Sequence, residues 1–69
     1  MDMTPVSSSN IAAIGYDEDS QTLQIEFING TMYQYFDVPE RIFTELRDAA
    51  SVGAYLASNI KGVYRFSKV

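Results

Sequence analysis

The sequence predicts an α+β domain: a three-stranded antiparallel meander followed by two short helices packed on one face. Three observations carry that prediction. The stretch "TLQIEFI" alternates apolar and polar residues with period two, the signature of a half-buried strand. An Asn-Gly pair follows it, the strongest short-range hairpin signal. After "DVPE" the apolar spacing switches to the helical period.

In chain order, the first six residues, "MDMTPV", read as a flexible N-terminus, and residues 7–69 as one domain. Residues 10–16 form the first expected strand, with Ala12, Ile14 and Tyr16 on one face. The cluster "DEDS" is a solvated turn of about four residues, which sets Ile14 opposite Leu23 and Ala12 opposite Ile25. Residues 22–28 form the second strand, with Leu23, Ile25 and Phe27 facing the core. The third strand begins at Thr31.

Its facing depends on the Asn29-Gly30 loop. A two-residue loop pairs Ile28 with Thr31, sends Met32 and Phe36 to the core, and turns Tyr33 and Tyr35 to the other face. A three-residue loop with Gly30 as a left-handed bulge residue pairs Phe27 with Thr31 and reverses every side chain. Met32 and Phe36 are more apolar than two phenols, which favours the first register. Tyrosines carry enough apolar area to serve the second if their hydroxyls reach a partner. In the first register the open face shows two aromatic rings, able to stack bases or meet an apolar partner.

Asp37 is the expected N-cap of the first helix, with Glu40 at capping-box spacing and Pro39 in the first turn. Ile42, Phe43, Leu46 and Ala50 form its apolar face. Ser51 is the expected N-cap of the second helix, Val52, Tyr55, Leu56 and Ile60 its stripe, and Gly62 its stop. "VYRFSKV" alternates again and reads as a short edge strand.

Composition narrows the function. The 69 residues hold one domain, and a single core of this size rarely supplies more than about 3–5 kcal/mol. With no Cys and no His, disulfides, Cys/His zinc sites and the usual nucleophile–base pairs are excluded. "DEDSQT" lacks the glycine and distal glutamate of an EF-hand loop, so it reads as a charged turn, and no metal or cofactor is expected. The chain reads as non-enzymatic. It has no membrane-spanning apolar run and no secretory signal, which makes the cytoplasm the expected compartment.

The net charge of −4 argues against strong non-specific nucleic-acid binding. The charge is uneven, however. Residues 1–48 sum to −7, whereas residues 49–69 carry Lys61, Arg65 and Lys68 and no acid. These cations suit a helix C-terminus, or alternatively an anion-facing surface beside Tyr64 and Phe66. The second helix also offers free N–H groups near Ser51 and Gly53. Such an end binds anions, or Gly53 simply allows close packing.

In order, "SSSNIAAIGYD", "LQIEFINGTMYQYFDVP", "AASVGAYLASNI" and "VYRF" make the chain resemble the KTSC domain over residues 7–66. The marks are Tyr33-X-Tyr35, then Ser51, Gly53 and Tyr55, then Ile60, Lys61 and Tyr64. The resemblance implies a small bacterial module of the kind found at the C-terminus of some lysyl-tRNA synthetases and as stand-alone proteins. That association suggests RNA as the partner. The binding residues expected on these grounds are Tyr33, Tyr35, Ser51, Gly53, Lys61, Tyr64 and Arg65. Weak, salt-sensitive RNA binding is one expectation. Protein–protein interaction without nucleic acid is the alternative, and the chain is expected to be a monomer or a weak homodimer.

Overall fold

A computed structural model describes residues 1–69. Its elements are β1 (Met3–Pro5), β2 (Ile11–Asp17), β3 (Thr22–Phe27), β4 (Met32–Tyr35), α1 (Glu40–Arg47), α2 (Val52–Asn59) and β5 (Phe66–Lys68). The sheet has five strands in the order β1-β2-β3-β4-β5, every neighbouring pair antiparallel. The expected three-stranded meander is therefore its centre, and each chain end adds an edge strand. Met3–Pro5 pairs with β2 although residues 1–6 read as loose. The short strand read in "VYRFSKV" is β5, which lies beside β4 after the two helices.

One face of β2, β3 and β4 meets the helices. Ile11, Ile14, Leu23, Ile25 and Tyr35 pack with Val38, Ile42, Leu46, Val52, Leu56 and Ile60 in one buried cluster. The expected pairing of Ile14 with Leu23 and Ala12 with Ile25 is corrected by a shift of two residues, and the apolar face of β2 also changes at Ala12. Tyr16 lies opposite Leu23 and Ile14 opposite Ile25, and an irregularity at Ala12 sets Ile11 against Phe27. The extra residue moves the larger Ile11 into the core in place of Ala12.

The hairpin between β3 and β4 takes the three-residue register. Phe27 N–H donates to the Thr31 carbonyl at 2.8 Å, and Gly30 N–H to the Phe27 carbonyl at 2.9 Å. Gly30 has φ +91, and the Asn29 side chain accepts from Thr31 N–H at 3.0 Å. Leu23 faces Tyr35 and Ile25 faces Tyr33. The favoured two-residue loop is thus corrected. Tyr33 and Tyr35 stand on the core face, and Met32 and Phe36 are half-buried on the other. That other face is not purely polar, which is how it accepts them. The Arg65 guanidinium covers the Phe36 ring at 5.6 Å.

Helix α1 starts differently from expectation. Pro39 is the flanking residue, with no side-chain cap, while Asp37 has φ +56 and pairs with Arg65. Ile42 and Leu46 are buried, and Phe43 stacks on Tyr16 with ring centroids 5.2 Å apart. Ala50 lies beyond the helix and is exposed, because the chain turns away after Arg47. In α2 the expectation holds: Ser51 Oγ accepts from Ala54 N–H at 3.2 Å, and Val52, Leu56 and Ile60 are buried. Gly62, at φ +78, then turns the chain toward β5.

Candidate functional site

The pairing of β5 with β4 builds the site. Tyr33 faces Lys68 and Tyr35 faces Phe66 across the strands. Phe66 and Lys68, two residues apart, therefore share the face that carries the tyrosines. Phe66 stacks nearly parallel on Tyr33, with centroids 5.6 Å apart and planes at 13°. Phe27 meets Tyr33 edge-on at 5.7 Å and 80°. Phe66 is left 57% exposed.

Beside these rings lies a pocket of about 270 Å³ lined by Phe27, Asn29, Thr31, Tyr33, Lys61 and Lys68. A wider, shallow groove of about 520 Å³ runs over Phe36, Phe66 and the 62–65 loop. Phe66 links the two, since it lines the groove and stacks on a wall of the pocket.

The charges of the chain are segregated around this pocket. Of the five basic side chains, three sit against carboxylates: Arg41 by Glu45 at 3.6 Å, Arg47 by Asp48 at 3.1 Å and Arg65 by Asp37 at 2.8 Å. The remaining two, Lys61 and Lys68, have no such partner, and both line the same pocket. The acidic cluster Asp17, Glu18 and Asp19 caps the opposite end of β3, about 20 Å away at the usual rise of a strand.

The seven residues expected from the sequence separate into four groups. Tyr33 and Lys61 line the pocket. Tyr35 lines neither cavity and is 2% exposed, so it is core and not contact surface. Burial, and then the neighbouring Tyr33, raise its phenol above the ordinary value. Tyr64 and Arg65 line the wider groove, where Arg65 already faces Asp37. Ser51 and Gly53 lie outside both cavities. The Ser51 hydroxyl is engaged in capping α2, and a Cβ on Gly53 would come within 3.0 Å of Asn10 Oδ1. Gly53 therefore serves close packing, against the loop before β2.

The expected set omits Lys68, Phe66, Phe27, Asn29 and Thr31, which the structure gathers at the site. The i, i+2 spacing of Phe66 and Lys68 in an alternating stretch is the signal that points to two of them. Elsewhere no group of carboxylates is arranged to hold a metal ion, and no helix is long and apolar enough to cross a membrane.

Comparison with known proteins adds a family. The family model described as the KTSC domain matches residues 7–64. A protein of Tsukamurella paurometabola is 40% identical over 63 residues, which is 91% of this chain and 94% of its own length. A lysine–tRNA ligase of Nostoc punctiforme is 38% identical over 61 residues, 88% of this chain but 11% of the ligase. The crystal structure of a KTSC domain protein from Yersinia pestis matches with a TM-score of 0.95 at 41% identity, covering 99% of this chain and 96% of that one.

Proposed function

The chain belongs to the KTSC domain family, and we propose that it is a small, non-catalytic, cytoplasmic module that binds single-stranded RNA weakly through the Lys61–Lys68 end of its sheet. The observation that carries this reading is the charge arrangement: the two basic side chains without a carboxylate partner line one pocket with two aromatic rings. Aromatic faces and cations together suit unpaired nucleotides, whose bases stack and whose phosphates need positive partners. The similarity to a stretch of lysine–tRNA ligases supports the same partner class. The acidic remainder of the surface repels a polyanion, so binding is confined to one end and is weak. In this reading Tyr33, Lys61, Lys68 and Phe66 make contact. Tyr35 packs beside Tyr33 and Phe66 from the core, and Tyr64 and Arg65 flank them.

A second reading has one observation in its favour. Val63 and Phe66 are both large, exposed and on the wider groove, which suits an apolar protein partner. An amide NMR titration with a short single-stranded RNA at low salt separates the two. Shifts centred on Tyr33, Lys61 and residues 66–68, lost in Lys61→Glu and Lys68→Glu, support RNA. An unresponsive spectrum at millimolar RNA removes it and leaves the groove as a protein contact.

A further inference from the structure

Resting on the RNA reading but going one step past it, we infer that the recognised unit is a single nucleotide, its phosphate held in the Lys61–Lys68 pocket and its base on Phe66. Three features lead there. First, the pocket is rich in donors: besides the Thr31 and Tyr33 hydroxyls, which can donate or accept, its charged groups are donors only. An ammonium has donors only, and Lys61 and Lys68 supply two. The Asn29 carbonyl oxygen accepts from Thr31 N–H, which orients the amide and leaves both NH₂ donors to a ligand. A rim of donors selects an acceptor-rich anion, and a phosphate is the nucleic-acid group of that kind.

Second, the pocket is small. About 270 Å³ falls just under the roughly 300–1,000 Å³ of sites for drug-sized ligands, so it admits one group and not a folded strand. Third, the stacking platform is single. Phe66 lies flat against Tyr33 on one side, and β5 is the outermost strand, so no further strand covers the ring. Phe66 and Lys68 lie two residues apart on one strand face, about 7 Å at the usual strand rise. A base on Phe66 thus has its own phosphate within reach of the flexible Lys68 side chain, with Lys61 completing the clamp.

The test is an NMR titration of the whole domain with uridine monophosphate, uridine, inorganic phosphate and a short single-stranded RNA in parallel. Uridine monophosphate should shift Lys61, Lys68, Asn29 and Phe66 together. Uridine should bind about tenfold more weakly, the factor expected for losing a charge-assisted hydrogen bond. Inorganic phosphate should move the lysines and Asn29 and leave Phe66 still. Lys61→Gln/Lys68→Gln should abolish the response to phosphate, and Phe66→Leu should abolish the advantage of the nucleotide over inorganic phosphate. Equal shifts from uridine and its monophosphate, or shifts centred on another surface, overturn the phosphate-first site. A silent mononucleotide with RNA still bound overturns the single-nucleotide unit alone, whereas silence from both overturns the RNA reading as well.

Discussion

Neutralising Lys61 and Lys68 one at a time should flatten the salt dependence of RNA binding in two equal steps. The magnitude follows from the count of unpaired cations. On a single strand, log K falls with log salt at a slope of about −0.7 per phosphate neutralised. On a strand the two free lysines neutralise two charges, the phosphate in the pocket and its neighbour, which gives about −1.4, so affinity drops about sevenfold between 50 and 200 mM salt. Lys61→Gln and Lys68→Gln should each halve that slope, and the double variant should bring it near zero. Arg65→Gln should leave it unchanged, because Asp37 already faces that guanidinium. Fluorescence anisotropy of a labelled single-stranded RNA, read at five or more salt concentrations, measures the wild type and all four variants. Both lysines are exposed and carry no ion pair, so thermal melts of the variants should overlay the parent. A wild-type slope steeper than about −2, or one that neither lysine changes, refutes the assignment of the charge to this pocket.

Other consequences are equally direct. Tyr35→Ala opens a core cavity costing about 3–5 kcal/mol, as much as the whole domain has, so its NMR spectrum should collapse, whereas Tyr33→Ala should keep a dispersed spectrum. A Cβ at Gly15 would lie 2.8 Å from the Asp2 carbonyl and 2.5 Å from Met3 Sδ, so Gly15→Ala should detach β1 and speed hydrogen exchange of its amides. Burial raises the phenols of Tyr35 and Tyr16, and for Tyr16 the charges of Glu40, Glu18 and Asp17 add to it. The folded state therefore favours the protonated phenol: this contribution is complete below about pH 10 and is lost as pH rises through the raised values. Denaturant titrations from pH 8 to 11 should show the fall, and Tyr35→Phe should reduce it.

Much of the fold was legible because its signals are local. The alternation of Leu23, Ile25 and Phe27, the Asn29-Gly30 turn, the Ser51 cap and the Gly62 stop each act within a few residues. The hairpin register was not, because both loop lengths place Gly30 where positive φ is accepted. What distinguishes them is partly the Asn29 side chain on Thr31 N–H and partly Phe66, which stacks on Tyr33 from more than thirty residues away. Of the edge strands, β1 was hidden, being three residues long and without local periodicity, whereas the alternation of "VYRFSKV" pointed to β5 but not to its neighbour β4. Arg65 carried a positive charge in the sequence that Asp37, 28 residues earlier, offsets in the fold. Lys61 and Lys68 became a pair only once β5 had a neighbour.

That late-arriving strand ties occupancy to integrity. β5 supplies Phe66 and Lys68, yet it is an outermost strand of three exposed residues, joined to the sheet through β4 alone. Short edges of this kind open well before the whole domain unfolds. Whatever requires β5 in place binds the closed form and not the frayed one, and so stabilises it by RT ln(1 + [L]/Kd). The reverse holds equally: loosening the strand weakens the ligand by the fraction of time the edge is undone. The last three residues of the sheet thus act as a clasp, whose closing and whose cargo share one equilibrium.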